Sequence, residues 1–329
     1  MVALQEDLID PGVLERFDAL NASGRLAHAY LFVGPRGVGK SETALAVARL
    51  VNCERPAQGR PCGECPSCLK INAATHPDVH RIEKLQDKES ISIEQVRGLI
   101  GQSQLRPYEG RRKVFIIKDI EGLTPEGSNS LLKTLEEPSP SSLLLLTTSV
   151  PEKCLETVKS RCHPVLMHPL PVRKLAQILK KDYAIKDPQA QCLAAMAGGC
   201  PAIARKLHEN GFLKRKNAAI DELLFGGGNE AYWKKVLGDK GELREALQVL
   251  LGLLRDMLLL KAGMPESGLL HADRAEELRQ WASRYSFVDL AELVRETVEA
   301  TRTLEENLNV KIAFALIREK LLSPVASKR

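Results

Sequence analysis

Residues Gly34-Pro35-Arg36-Gly37-Val38-Gly39-Lys40-Ser41 fit the pattern G-x-x-x-x-G-K-[ST]. In that pattern the glycines let backbone N–H groups curl around phosphate oxygens. A following helix adds the positive end of its dipole, the lysine reaches the β and γ phosphates, and the hydroxyl can ligate Mg²⁺. The chemistry expected is binding of a nucleotide such as ATP with Mg²⁺, the alternative being a bare glycine turn. A second constellation is Cys53, Cys62, Cys65 and Cys68, spaced C-x8-C-x2-C-x2-C with the last three in the loop PCGECPSC. Two overlapping C-x2-C steps turn three thiolates toward one point, and Cys53 completes a tetrahedral Zn²⁺ site with no open position, hence a structural one. Free or redox-active thiols are the other reading. Cys154, Cys162, Cys192 and Cys200 are scattered and carry no assignment.

A phosphate loop that hydrolyses ATP needs an acidic pair at the end of another strand, one member for Mg²⁺ and one to polarise water. After Val114-Phe115-Ile116-Ile117 stand Lys118 and Asp119. A lysine cannot ligate Mg²⁺, and neighbours in a strand face opposite sides, so Asp119 is a doubtful replacement unless the strand tip bends or Glu121 helps. Thr147 and Thr148 close the run SLLLLTT, where a polar side chain, Thr148 foremost, can touch the γ-phosphate or the water. Arg161, in Ser160-Arg161-Cys162, is by itself an arginine of the kind most often solvated or salt-bridged.

These groups need elements to hold them. AYLFVG (29 to 34) reads as a strand entering the loop, and SETALAVARLVN as the helix leaving it. VHRI (79 to 82), KVFIIKD (113 to 119), SLLLLTT (142 to 148) and PVLM (164 to 167) are further strand-length apolar runs. They alternate with amphipathic stretches such as SIEQVRGLIGQSQL and GSNSLLKTLEEP, which predicts an α/β parallel sheet covered by helices on both faces. From about residue 168 the apolar positions recur at helical spacing, through RKLAQILKK, QAQCLAAMAG, ELREALQVLLGLLRDMLLLK, FVDLAELVRETVEATRTLEEN and VKIAFALIREKLL. The second half is therefore expected to be all helical, broken near Gly198-Gly199 with Pro201 and near Phe225-Gly226-Gly227-Gly228.

A length of 329 residues permits two or three domains, and a net charge of +5 permits a nucleic-acid-facing surface without arguing for one. No stretch approaches the roughly 18 apolar residues that a membrane span needs, and MVALQEDLIDPG lacks a signal-peptide pattern. A cytoplasmic protein with no membrane partner is expected, and clustered cysteines in a reducing compartment point to metal.

Taken together, RLAHAYLFVGPRGVGKS, the four-cysteine insert, HPDVHRI, KVFIIKD, NSLLKTLEEP, LLLLTT and SRC, in this order over residues 25 to 165, resemble the clamp-loader branch of the AAA+ family. EENLNVKIAFALIREKLL, with Asn307 and Asn309 opening a long helix, is similar to the end of that family's collar domain. The resemblance implies three domains: a nucleotide-binding core with its zinc module over 1 to 167, a helical lid over 168 to 208 and a helical collar over 209 to 329. It also implies a five-membered ring with gamma/tau motor and delta subunits, acting on a sliding clamp and primer-template DNA.

Within that family the motor has Asp-Glu where this chain has Lys118-Asp119, and an arginine where this chain has Ala202, with Arg205 one turn later as the possible substitute. Asp10-Pro11 stand where the motor has Gly-Gln. The departures imply a stator-type subunit with weak or absent ATPase activity of its own, the alternatives being a gamma/tau-like motor or a zinc-bearing P-loop protein of DNA repair. The resemblance gives Arg161 a role in trans, as the arginine that projects into the neighbouring subunit's ATP site.

Overall fold

In a computed structural model, the described residues are 8 to 57, 59 to 85, 90 to 226, 229 to 305 and 310 to 322. Asn307 and Asn309 lie outside them. The chain divides into two compact units, one of residues 1 to 170 with 200 to 203, the other of 171 to 199 with 204 to 329.

In the first unit the elements run α1 (Pro11–Ala22), β1 (Ala29–Val33), α2 (Lys40–Asn52), α3 (Pro66–Asn72), β2 (Val79–Ile82), α4 (Ile93–Ser103), β3 (Lys113–Ile117), α5 (Pro125–Glu136), β4 (Ser142–Thr148), α6 (Glu156–Lys159) and β5 (His163–Leu166). All five strands are parallel, in the order β2-β3-β4-β1-β5. Every residue of β3 and β4 is buried, which is why both read as unbroken apolar runs: helices cover both faces of a parallel sheet. One face packs Tyr30, Phe32, Val114, Ile116, Leu143 and Leu145 with α1 and α2. The other packs Leu31, Phe115, Ile117, Leu144 and Leu146 with α4 and α5.

Local signals set the helix starts. Asp10 caps α1, its carboxylate accepting from the N–H groups of Gly12 and Val13, with Pro11 in the first turn. Asp10-Pro11 thus has a structural duty of its own. Ser92 and Gln95 form a capping box on α4, and Thr124 caps α5 ahead of Pro125.

The second unit is helical: α7 (Val172–Tyr183), α8 (Asp187–Met196), α9 (Pro201–Glu209, whose first residues count with the first unit), α10 (Phe212–Leu224), α11 (Glu230–Gly238), α12 (Lys240–Lys261), α13 (Ala275–Ser283), α14 (Phe287–Glu305) and α15 (Val310–Leu322). The long helix α12 is its centre, packed by α10, α11, α13 and α14. Buried Asp256 on α12 accepts from the N–H groups of Leu270 and His271 and from His271 Nδ1 at 2.9 Å, which pins the connection before α13. Helix α8 ends ahead of Gly198-Gly199 and α10 ahead of Phe225-Gly226, as expected, whereas α1, α3, α9, α10, α11 and α13 are not among the apolar runs singled out in the sequence.

Asp78, in the HPDVHRI segment, organises the loop that leads into β3. Its carboxylate is fully buried and accepts from the backbone N–H groups of Tyr108 (2.7 Å), Glu109 (2.8 Å) and Gly110 (2.8 Å), with Lys113 Nζ at 3.9 Å. Burial opposes its ionisation, but the three N–H donors and Lys113 outweigh burial and hold it below the usual carboxylate range. Asp78→Ala should cost about 3 kcal/mol in urea unfolding, since it strands three part-buried N–H donors and a buried ammonium. A loss below about 0.5 kcal/mol, the range of ordinary surface changes, would remove this role. Because the folded pKa lies below the unfolded value of about 3.9, the contribution is complete at neutral pH and is lost as pH falls from about 4 through the folded pKa.

Candidate functional site

The phosphate-loop segment follows β1 at the C-terminal edge of the sheet. Gly34 N–H donates to Thr148 O at 3.3 Å and Met167 N–H to Val33 O at 2.8 Å, so neighbouring chains flank the start of the loop on both sides. That proximity forces the glycines. A Cβ at Gly34 would lie 2.4 Å from the carbonyl oxygen of Met167, and one at Gly39 only 1.9 Å from that of Leu8. Gly39 also takes φ +103, open to glycine alone among common residues, where it starts α2. Val38 turns into the core. Arg36, Gly37, Gly39, Lys40 and Ser41 line a cleft of about 390 Å³.

Lys40 is buried, and its ammonium donates to Gly34 O (2.7 Å), Pro35 O (2.9 Å) and Ser149 Oγ (2.9 Å). Desolvation by burial lowers its pKa, against the opposing charges of Asp119 and Glu121. Both carboxylates line the same cleft, as do Lys118, Lys84 and Glu42.

The strand alternation expected to separate Lys118 from Asp119 does not apply, because β3 ends at Ile117. Asp119 then adopts the left-handed conformation, φ +53, and its N–H donates to the buried Thr147 hydroxyl at 3.0 Å. The tip bends, and Lys118, Asp119 and Glu121 all reach one cavity. Lys118 keeps an exposed ion pair with Glu83 at 3.2 Å. One Glu121 oxygen accepts from Ser149 N–H at 3.2 Å, while Oε2 is buried with no hydrogen-bond partner.

Thr148 is buried away from this cleft, its hydroxyl accepting from Val150 N–H and from the Cys154 thiol. The polar residue that meets the loop lysine is Ser149, which the sequence reading passed over. Pairing of Val33 with Thr148 is what brings Ser149 beside the loop, and that pairing is non-local.

Arg161 lies outside the cleft lining, on the turn between α6 and β5, where it bonds Thr157 O at 3.0 Å and the Glu136 carboxylate at 2.6 Å. Ala202 does line the cleft, and its N–H donates to Gly37 O at 3.1 Å. Arg205 pairs with Glu209 within α9.

The four-cysteine set converges: the sulfurs of Cys53, Cys62, Cys65 and Cys68 all lie within 4.8 Å of one another. Four thiolates about 2.3 Å from one ion sit about 3.8 Å apart, so the set can bind a metal with little adjustment. Cys53 ends α2, Cys65 caps α3 and Cys68 sits in its first turn, with Gly63 in the left-handed region between the ligand turns. Backbone N–H groups point at sulfur, Cys62 N to Cys53 Sγ and Cys65 N to Cys62 Sγ, both at 3.3 Å. N–H donation from Glu64 and Cys65 brings the Cys62 thiol down to about 6, while burial pushes Cys53 and Cys68 up.

A family model described as DNA polymerase III, delta subunit, matches residues 9–171, and one described as DNA polymerase III, delta subunit, C terminal, matches residues 212–322. The DNA polymerase III subunit delta' of Pseudomonas aeruginosa is 35% identical over 206 residues, covering 61% of this chain and 62% of that protein. That match spans less than two thirds of the relative's length. The delta' subunit of Bacillus subtilis is 28% identical over 296 residues, 87% of this chain and 88% of that protein. The DNA polymerase III subunit tau of Escherichia coli is 37% identical over 181 residues, 54% of this chain and 28% of that protein.

Freshly reduced protein should carry one equivalent of a thiophilic metal by elemental analysis, and stripping it with a chelator should lower Tm by about 10 °C. Metal-free protein with an unchanged Tm would show that the four thiols are only a buried cluster.

Proposed function

This chain belongs to the family of DNA polymerase III delta subunits, and we propose that it serves as the delta-prime subunit of a bacterial clamp loader. In this reading it is a cytoplasmic stator in a five-membered ring with gamma/tau and delta subunits, which loads a sliding clamp on primer-template DNA. The division into core (1 to 167), lid (168 to 208) and collar (209 to 329) belongs to the same proposal. The metal of the four-cysteine set is zinc, chosen by an all-thiolate tetrahedral donor set that leaves no position for a substrate.

The observation that carries this reading is Lys118. It lines the chain's own phosphate cleft directly after β3, at the position where a hydrolysing P-loop protein needs a Mg²⁺-holding carboxylate. When Mg²⁺ is bound in such a cleft it neutralises charge on the β and γ phosphates. Of this chain's residues, Gly37, Gly39 and Lys40 would cradle phosphate, Ser41 would be the hydroxyl available to the ion, and Asp119 and Glu121 are carboxylates lining the same cleft. Arg161, away from that cleft and partly exposed, is free of any duty to a nucleotide held by its own subunit. Its role is to reach the γ-phosphate in a neighbouring motor, a contact worth on the order of 10³ to 10⁵ in rate in related systems.

A second reading, slow hydrolysis in the chain's own cleft, draws on Asp119 and Glu121 sharing that cleft with Lys40. The two readings separate on turnover. The isolated chain should hydrolyse ATP no faster than background, whereas a reconstituted ring with gamma/tau, delta, clamp and primed DNA should turn over strongly. Arg161→Ala should leave assembly unchanged by size-exclusion chromatography and silence one motor site, so that total turnover drops. Robust turnover by the isolated chain would sink the stator reading, and full turnover by the Arg161→Ala ring would sink the finger.

A further inference from the structure

The cleft beside the phosphate loop carries an arrangement of charge that suits a polyphosphate better than it suits a metal ion. A Mg²⁺ bound with a nucleotide is ordinarily held between a loop hydroxyl and a carboxylate just beyond a neighbouring strand. Here Ser41 supplies the hydroxyl, but the first residue beyond β3 is Lys118, and its side chain lines the cavity. Lys84 lines the same wall, folded over the turn after Asp119, with its Cε 2.2 Å from where a Cβ on Gly122 would stand.

Two of the carboxylates lining the cleft face the loop lysine, although Glu121 keeps one buried oxygen without a hydrogen-bond partner. Asp119 and Glu121 both offset the charge of buried Lys40, and one Glu121 oxygen takes the Ser149 N–H. By contrast, the partner of Lys118 is Glu83, in a pair whose side chains are 47% and 63% exposed. Exposed pairs of this kind exchange partners at little cost, so Lys118 is available to an arriving anion. A divalent cation placed between Ser41 and β3 would share the cleft with the Lys118 and Lys84 ammonium groups, whose like charge opposes it.

We propose that this cleft binds ATP as the metal-free anion, with Lys118 and Lys84 supplying beside the β and γ phosphates the positive charge that Mg²⁺ supplies in a hydrolysing site. The inference rests on the reading that the loop holds a nucleotide, and it specifies the form in which the nucleotide is held. No bond is made or broken; the ligand serves as a structural anion.

The test is isothermal titration of ATP into the full chain, once with excess MgCl₂ and once with EDTA and no added metal. Zinc content of the protein is checked after each run, so that a stripped cysteine site is not mistaken for a nucleotide effect. The Kd in EDTA should equal that in MgCl₂ within about threefold, or be tighter. Lys118→Asp, at an exposed position that does not threaten folding, should convert the site to a magnesium-dependent one, at least about tenfold weaker in EDTA than in MgCl₂. Lys84→Ala should weaken binding more in EDTA than in MgCl₂. Wild-type binding that needs Mg²⁺ by about tenfold or more would overturn the inference and leave the phosphate-loop reading standing. So would a Lys118→Asp protein indistinguishable from wild type. Absence of binding in both conditions, by protein with a native circular dichroism spectrum, would instead remove the nucleotide from this subunit altogether.

Discussion

Backbone pairing of β1 between β4 and β5 is the constraint from which the site follows. The ladders run one step past the strands on both sides, through Gly34 N–H to Thr148 O and Met167 N–H to Val33 O. With chain on either side, residue 34 has no space for a side chain, and the loop must be built of glycine where it is tightest. The same register sets Ser149 next to Lys40, and the pairing of β3 with β4 brings the turn after β3 beside Thr147, whose hydroxyl takes the Asp119 N–H. That hydrogen-bonded sheet edge therefore decides which groups stand beside Lys40 and Asp119 in the cleft.

Much of this was legible in residue order, and the exceptions have definite physical causes. The five strands stood out because parallel strands buried on both faces must be apolar throughout, as in SLLLLTT. The four cysteines were legible since three are local and the fourth ends the helix that runs out of the phosphate loop. Alternation along β3 failed as a guide at Lys118 and Asp119 because alternation is a property of extended backbone, and the extended backbone stops at Ile117. Thr148 stands out and Ser149 does not because a strand's last residue is visible in sequence, whereas the partner strand that decides which side chain meets the loop is not. Asp10-Pro11, read against a family dipeptide, carries a helix-capping signal that needs no family at all.

Lys40 has the three N–H donors of an ammonium, and the described structure satisfies each of them with a neutral acceptor: two loop carbonyls and the Ser149 hydroxyl. Charge-assisted hydrogen bonds to a phosphate oxygen are roughly twice as strong as neutral ones, so exchanging any of the three for phosphate is favourable. Such an exchange would free Ser149 Oγ, already within 2.9 Å of the lysine, to bond the same phosphate. The loop is thus held together by internal bonds that a phosphate can displace one at a time. A buried lysine of this kind need not be left unpaired between ligands, which limits the cost of burying it.

The ion pair of Arg161 with Glu136 bears on the proposed role in trans, since an arginine held by that partner would have to leave it to reach a neighbour's phosphate. The pair is short, 2.6 Å, but its side chains are 35% and 49% exposed. Exposed pairs contribute about 0 to 1 kcal/mol, because water and salt compete for both partners. A thousandfold rate effect corresponds to about 4 kcal/mol of transition-state stabilisation. In the proposed role in trans the contact with the neighbour's phosphate would be the larger quantity, so the Glu136 pair would oppose it only weakly.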